Sequence, residues 1–195
     1  MNQINSVCVY SASSTKIDPC YFEMARELGK LIAGHNIRLV NGAGSIGLMR
    51  ETADAVLDNG GKVTGVIPRF MVEQSWHHTG LTELIEVETM HERKQKMAAL
   101  SDGVIALPGG CGTMEELLEL ITWKQLGIYL KPVIILNTND FYDPLLEMLD
   151  KAIRENFMRE LHGDIWKVAV TSEEAIDLLY TTPVWDTEIR KFAAI

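Results

Sequence analysis

The sequence is poor in cysteine, in basic residues and in long apolar runs. Its three cysteines, Cys8, Cys20 and Cys111, lack the spacing of a metal site. Lys and Arg number 18 against 27 acidic residues, and the net charge of −9 argues against nucleic acid or an anionic membrane surface as the main partner. No apolar run approaches the roughly 20 residues of a membrane span. We therefore expect a soluble, cytoplasmic protein with reduced thiols that binds neither nucleic acid nor membrane.

Short apolar runs alternate with helical patterns along the chain, without a linker or an internal repeat. Strands are predicted near residues 4–10, 37–40, 62–67, 84–87, 103–107, 133–136 and 166–170. This alternation is typical of an α/β fold of the Rossmann-like, doubly wound type, with a mostly parallel sheet and helices on both faces. We expect a single domain over residues 1–180, followed by a tail at 181–195 that packs on its own or on a partner subunit.

Capping residues mark the starts of three predicted helices. Asp18 followed by Pro19 predicts an N-cap with proline at the first helical position. Asp143 followed by Pro144 predicts a second start of the same kind, and Ser172 is predicted to cap the last helix.

The most informative stretch joins a predicted strand to a predicted helix through the glycine-rich turn at 108–113. Glycines allow close backbone approach, and a helix N-terminus offers free N–H groups, so we expect this turn to bind a phosphate. Glu115 and Glu116 follow at once, which suggests an enzyme acting on a phosphorylated small molecule. The alternative is structural: Thr113 and Glu116 have the spacing of a capping box, in which the glutamate only satisfies a backbone N–H.

Two further polar or glycine-rich loops, at 11–15 and 42–47, also follow predicted strands. Ligands of doubly wound sheets bind outside the carboxyl ends of the strands, near the point where the strand order reverses. We therefore expect the three loops to share one crevice within residues 1–180.

Arg93 lies at a helical position that is otherwise apolar. Met90, Met97 and Leu100 have the spacing of one stripe, which we expect to face inward, and Arg93 falls on it. A buried guanidinium needs a partner, and a glutamate after the glycine turn or a bound anion is the expected one. The alternative is a long side chain that reaches water from the edge of the stripe.

The segment 69–80 is predicted to be irregular and contains the adjacent histidines His77 and His78. Neighbouring residues diverge on a helix or strand, and no Cys, Asp or Glu stands beside them at ligand spacing. No metal site is predicted.

Four motifs together carry a family resemblance. Pro108–Glu116 has the form PGGxGTxxE, with the sequence MHERK upstream at 90–94. Residues 42–49 are similar to a GGGSxGLM loop, and residues 121–128 to an ITWxQLGI helix. The chain resembles the LONELY GUY family of cytokinin-activating phosphoribohydrolases, whose members are also labelled lysine decarboxylase-like.

The resemblance implies hydrolysis of the N-glycosidic bond of an adenine-type nucleoside 5′-monophosphate, by a homodimer and without a cofactor. It makes Arg93 and Glu116 the essential pair, while helical position alone leaves Glu115 as a rival carboxylate. The residues expected to line the substrate site, from the resemblance or from the three loops, are Lys94, Gly109, Gly110, Cys111, Gly112, Thr113, Met114 and Thr122, together with Ser13, Gly42, Gly44, Ser45 and Gly47.

Several positions depart from the family pattern. Asn41 and Ala43 replace a tyrosine and the middle glycine of the first glycine-rich loop, and Ala12 stands in a turn that is usually Gly-Ser-Ser. Cys111 occupies a position where an aromatic residue is frequent, and many members carry a glutamate around Ser75. The essential pair is unchanged, so these differences bear on the preferred base.

An ionised carboxylate would stabilise the oxocarbenium-like sugar of such a reaction. We expect the helix N-terminus and Arg93 to favour the charged form of Glu116. A nucleoside monophosphate should be preferred over the nucleoside, because the loops hold the phosphate.

Other functions fit less well or stay open. A dehydrogenase would need G-x-G-x-x-G after the first strand, and the loop at 11–15 contains no glycine. A true lysine decarboxylase needs pyridoxal phosphate and a larger fold. A non-catalytic nucleotide-binding module and a carrier related to molybdenum-cofactor carriers share the glycine loops, and turnover would separate them from an enzyme.

Overall fold

The computed structural model describes residues 1–192, in which seven strands alternate with seven α-helices. The strands are β1 (Ser6–Tyr10), β2 (Arg38–Asn41), β3 (Val63–Pro68), β4 (Glu83–Val87), β5 (Val104–Ala106), β6 (Val133–Leu136) and β7 (Lys167–Ala169). The helices are α1 (Pro19–Gly34), α2 (Gly47–Asp58), α3 (Arg69–Glu73), α4 (Met90–Ala99), α5 (Cys111–Gln125), α6 (Asp143–Arg154) and α7 (Ser172–Thr181). No helix within the described residues is long and apolar enough to cross a membrane.

The seven strands form one parallel sheet in the order β4-β3-β2-β1-β5-β6-β7. The order reverses between β1 and β5, where Tyr10 pairs with Ala106. The predicted single-domain, doubly wound α/β fold is confirmed, and every strand pair is parallel because each connection carries the chain back across the sheet.

Alternation along β1 assigns its side chains to two cores. Val7 and Val9 pack with α1, α2 and α7, whereas Cys8 and Tyr10 pack with α4, α5 and α6 on the other face. All four are buried, as expected for a central strand covered on both faces. The carboxyl end of β1 is therefore held rigidly from both sides.

Of the three predicted N-caps, one is confirmed. Asp18 accepts a hydrogen bond from the N–H of residue 20, as predicted for an N-cap. The prediction for Asp143 is wrong, because Asp143 is the first residue of α6 and its Oδ1 accepts from the side chain of Asn137. The cap of α7 is Thr171, one residue before the predicted Ser172.

The inner face of α4 differs from the predicted stripe. Arg93, Lys94 and Met97 are buried, whereas Met90 and Leu100 are 41% and 37% exposed. Met90 is the first residue of α4 and Leu100 is its C-cap, so both lie beyond the turns that pack on the sheet. The prediction was right for Arg93 and wrong for these two residues.

The tail returns to its own chain within the described residues. The backbone N–H of Trp185 donates to the carbonyl of Leu130 at 2.9 Å, and Ile189 is buried. The ammonium of Lys124, itself fully buried, lies 5.1 Å from the centre of the Trp185 ring. The predicted packing of Phe192 and of residues 193–195 lies outside the side chains that the structure describes.

Candidate active site

A cavity of about 330 Å³ opens at the carboxyl ends of β1, β2 and β5, beside the reversal of strand order. Its lining residues are Ser11, Ala12, Ser13, Ser14, Gly44, Met49, Met71, Met90, Arg93, Gly110, Gly112, Thr113, Glu115 and Glu116. All three predicted loops contribute, which confirms that they share one crevice.

The glycine turn before α5 presents an open helix N-terminus to this cavity. Gly110 is the N-cap and no side chain caps the helix, so Thr113 lies inside α5 and the capping-box alternative is wrong. The first backbone bond of the helix joins the N–H of Met114 to the carbonyl of Gly110. The N–H groups before it have no intrahelical acceptor. A Cβ at Gly110 or Gly112 would meet nothing within 4 Å, so an anion has room to approach.

The loop at 42–47 is packed rather than open. A Cβ at Gly42 would lie 1.8 Å from Nη2 of Arg93, and a Cβ at Gly47, whose φ is +68°, would lie 2.5 Å from the carbonyl carbon of Ser13. The N–H of Ser45 donates to the carbonyl of Trp76 at 3.0 Å. Gly42, Ser45 and Gly47 lie outside the lining of the cavity, and these contacts are the reason.

Ala43 adopts a left-handed backbone conformation with a φ of 60°. Its N–H donates to the side-chain oxygen of Asn41 at 2.9 Å, so the asparagine that departs from the family pattern supports this turn. Left-handed backbone favours glycine, which explains why glycine is frequent at this position in the family. The Ala43 side chain is fully buried and does not line the cavity.

Arg93 is held by backbone carbonyls. It is 6% exposed, its Nε donates to the carbonyl of Val66 at 3.1 Å, and its Nη2 donates to the carbonyl of Gly42 at 2.8 Å. In residues 1–192 no carboxylate lies within salt-bridge distance of it, so the expected glutamate partner is not found. The guanidinium is therefore a fixed positive charge at the wall of the cavity.

Glu116 is a buried carboxyl group at the same wall. It is 9% exposed, and no hydrogen bond or ion pair within residues 1–192 engages its oxygens. Burial raises its pKa to about 7, although the charge of Arg93 acts in the opposite direction. Arg93 therefore favours the charged form of Glu116, as expected, but desolvation outweighs it. This carboxyl group changes protonation state near neutral pH.

Glu115 differs from Glu116 in that it has a cation partner. Lys94 is buried on α4 and contacts the carboxylates of Glu115 and Glu119, the latter at 3.0 Å. The ammonium is thus occupied, and Lys94 does not line the cavity. Glu116 is the carboxyl group left free to act on a ligand.

Several other expected site residues lie at the edge of the cavity or away from it. Thr122 is exposed on α5, two turns after Glu115. Its hydroxyl donates to the carbonyl of Leu118 at 2.9 Å. Cys111 is exposed and Met114 is half-buried, and neither lines the cavity. Gly109 packs closely on the side chain of residue 113.

Two serines and two methionines line the cavity without having been predicted from the sequence. The hydroxyl of Ser11 is buried without a hydrogen-bond partner, and Ser14 is an exposed lining residue. Both belong to the predicted loop at 11–15. Met49 and Met71 also line the cavity. Met71 lies on the short helix α3, within a segment predicted to be irregular, and no sequence signal identifies it.

The histidines of that segment serve local structure. His78 Nε2 lies 2.7 Å from Oδ1 of Asp54, and residue 77 pairs with Gly44 in an isolated antiparallel bridge. Within the described part of the chain, no group of three His, Cys, Asp or Glu residues is arranged to hold a metal ion.

The chain is similar in sequence to a known family and to proteins of two plants. The family described as "possible lysine decarboxylase" matches residues 49–179. A probable cytokinin riboside 5′-monophosphate phosphoribohydrolase of Oryza sativa subsp. japonica is 44% identical over 178 residues, which cover 91% of this chain and 73% of that protein. A cytokinin riboside 5′-monophosphate phosphoribohydrolase of Arabidopsis thaliana is 42% identical over 178 residues, covering 91% and 84%.

Solved structures with the same fold include proteins of different names. The molybdenum cofactor carrier protein of Chlamydomonas reinhardtii matches with a TM-score of 0.70 and 23% identity over 92% of this chain and 98% of that one. The molybdenum cofactor binding protein of Rippkaea orientalis matches with a TM-score of 0.66 and 23% identity over 90% and 94%. At this identity the likeness concerns the fold alone. The sequence matches decide the family: the chain belongs to the "possible lysine decarboxylase" family, the LONELY GUY family of its plant relatives.

Proposed function

We propose that the protein hydrolyses the N-glycosidic bond of adenine-type, cytokinin-like nucleoside 5′-monophosphates, releasing the free base and ribose 5-phosphate. The observation that carries this proposal is the placement of the buried Glu116 carboxyl and the fixed Arg93 guanidinium at one cavity that also contains an open helix N-terminus. The names of the plant relatives support the same reaction and the same class of substrate.

The cavity combines polar and apolar lining suited to the two parts of such a nucleotide. The first N–H groups of α5 and the hydroxyls of Ser13 and Ser14 suit a phosphate. The side chains of Met49, Met71 and Met90, from three different helices, suit a purine with or without an apolar substituent. This arrangement favours a monophosphate over the nucleoside, and AMP and its N6-alkyl derivatives are the substrates to compare.

The reaction breaks the bond between ribose C1′ and the base nitrogen, and the electron pair of that bond leaves with the base. Positive charge builds on C1′ and the ring oxygen, where the Glu116 carboxylate stabilises it. Water then adds to C1′ and transfers a proton to Glu116, while the departing base takes a proton from solvent. A carboxyl group with a pKa near 7 is suited to accept that proton.

Arg93 contributes in this proposal as a fixed charge. Its two hydrogen bonds to backbone carbonyls hold it in place before any ligand binds. The positive charge lowers the pKa of Glu116, opposing burial, and attracts the phosphorylated substrate.

A carrier or binding module is the second candidate, since the structural neighbours include a molybdenum cofactor carrier. A site built only to hold a phosphate gains nothing from Glu115 and Glu116, whose carboxylates repel an anion. The pair of acids therefore favours catalysis, and measured turnover decides.

Exposed apolar side chains on α5, just after it and at the end of α4 support a homodimer. Leu118, Leu126 and Ile128 are 38%, 43% and 64% exposed, and Leu100 at the end of α4 is 37% exposed. A groove of about 490 Å³ lies between α4 and the end of α5, with Trp123 on its wall. Exposed apolar patches of this kind mark interaction sites. Thr122 lies between Leu118 and Leu126, so a second copy on this surface would cover it.

The dimer is tested by sedimentation of the purified protein. Ile128→Glu should convert a dimer into a monomer, while Val170→Glu, an exposed apolar change beside α1, should leave its mass unchanged. A wild-type protein that sediments as a monomer at micromolar concentration contradicts the proposal.

The three free cysteines support a cytoplasmic location, where thiols stay reduced.

The activity is tested by base release from AMP and from N6-isopentenyl-AMP. We expect Glu116→Gln to lower turnover by at least about 100-fold, because a neutral amide does not stabilise the developing charge. Glu147→Gln, an exposed change on α6, is the matched control. Nucleotide binding without base release would favour the binding module, and equal turnover of adenosine and AMP would contradict the phosphate site.

A further inference from the structure

Lys94 lies beside the proposed substrate cavity without lining it. Its side chain is 5% exposed, and its Nζ contacts the carboxylates of Glu115 and Glu119, the second at 3.0 Å. Glu115 and Glu119 are one turn apart on α5, so their negative charges would repel each other without the lysine. The Lys94–Glu115–Glu119 cluster therefore ties α4 to the first two turns of α5.

We propose that Lys94 and Glu119 are positioning residues, which act through the ion cluster with Glu115 to hold Glu116 and Arg93 in place at the cavity and to balance the charge around Glu116. The inference rests on the proposed function and assigns Lys94 a role through protein carboxylates rather than through the substrate. It adds Glu119, which the family motif does not include.

The cluster is coupled to the reacting groups through the geometry of two helices. Lys94 follows Arg93 on α4, and Glu115 precedes Glu116 on α5. Successive helix residues are separated by about 100° of rotation, so Arg93 borders the cavity while Lys94 turns toward α5. There Lys94 meets Glu115, which itself lines the cavity beside Glu116. The ion cluster thus acts as a clamp one residue away from Arg93 and Glu116.

The charges around Glu116 give the two positioning residues opposite effects. The groups that face Glu116 are Arg93 and Lys94 from α4, Glu115 and Glu119 from α5, and Cys8 and Tyr10 from β1. Burial raises the pKa values of the Cys8 thiol and the Tyr10 hydroxyl well above their ordinary ranges, so both stay neutral. Lys94 lowers the pKa of Glu116, whereas Glu115 and Glu119 raise it.

Replacing Lys94 leaves two carboxylates near Glu116 without their cation, which disfavours ionisation of Glu116. Replacing Glu119 removes one negative charge and leaves Lys94 paired with Glu115, which favours ionisation of Glu116. A purely structural role for the cluster would not produce shifts of opposite sign.

The test is the pH dependence of kcat/KM for base release from AMP. We expect Lys94→Met to move the acid limb up by about one pH unit, and so to lower the rate at pH 6 about tenfold. Glu119→Gln should move the limb down by about half a unit. Lys94→Arg should restore the wild-type profile. Lys96→Met removes a charge from the exposed side of α4 and should leave the profile unchanged.

The inference is overturned if both variants shift the limb in the same direction, or if both slow the reaction without any shift. If Lys94→Met does not fold, Glu119→Gln alone tests the inference. A downward shift of its acid limb supports the inference, and an unshifted limb overturns it. A wild-type protein that releases no base at any pH would instead remove the proposed function, so the two failures are distinguishable.

Discussion

The two glycine-rich loops of this protein look alike in sequence and differ in what their glycines do. At 109–112, Gly110 and Gly112 border open space at the start of α5. At 42–47, Gly42 and Gly47 are pressed against other parts of the chain and do not line the cavity. One loop leaves N–H groups open to the cavity, and the other makes room for Arg93 and for the backbone of residues 12 and 13.

A glycine in a loop after a parallel strand therefore has two separate uses. It allows a phosphate to approach the backbone, and it also allows a protein group to do so. The distances to neighbouring atoms tell the two apart, and substitutions in the two loops should fail for different reasons.

Gly42→Ala should have the largest effect. Its Cβ would lie 1.8 Å from Nη2 of Arg93, so the guanidinium must leave the carbonyl that holds it. We expect base release to fall by at least about 100-fold, and the free energy of unfolding to fall by about 2 to 4 kcal/mol, because a buried charge loses its partners. Turnover assays and urea unfolding measure both. Wild-type activity in this variant would show that the position of Arg93 is unimportant.

Gly47→Ala should mainly destabilise the fold. The residue combines a φ of +68° with a Cβ position 2.5 Å from the backbone of Ser13, which has no flexible end to move aside. Strain and clash together should cost about 2 to 4 kcal/mol in thermal or chemical unfolding. A stable variant with a raised KM alone would instead assign this glycine to the ligand.

Gly112→Ala should leave the fold intact and weaken the substrate complex. No atom lies within 4 Å of the added Cβ, and alanine is the better helix former, so the melting temperature should stay the same or rise slightly. Because Gly112 lines the cavity, we expect KM for AMP to rise several-fold. An unchanged KM would exclude this backbone from the phosphate site.

Ala43→Gly should have the smallest effect. Glycine removes the strain of a φ of 60° but adds freedom to the unfolded chain, so the free energy of unfolding should change by no more than about 1 kcal/mol. Turnover and KM should not change, because the Ala43 side chain is buried away from the cavity. A tenfold gain in affinity for AMP would show that the methyl group restricts the phosphate.

Local sequence patterns predicted the architecture well. The alternation of apolar runs with helical periodicity was sufficient for the parallel, doubly wound sheet, and the strand ends located the three loops that form the cavity. The spacing of Arg93 also predicted its burial, because helical periodicity is a local property.

The features that depend on distant atoms were not predictable from local patterns. Arg93 binds the carbonyls of Gly42 and Val66, which are remote in sequence, so the expected glutamate partner was wrong. The protonation of Glu116 depends on how completely neighbouring elements bury it, and no residue spacing encodes that depth. Met71 enters the cavity through a short helix without a periodic signal.

The central claim is that buried Glu116 acts as a carboxylate on a nucleotide held at the α5 N-terminus. The pH dependence of kcat/KM for base release from AMP tests it most directly, with Glu116→Gln measured alongside. Activity should be lost as the pH falls through about 7, where Glu116 takes up a proton, and the residual activity of Glu116→Gln should lack this limb. A rate that is constant between pH 5.5 and 8.5, or that falls as the pH rises through 7, would contradict the account.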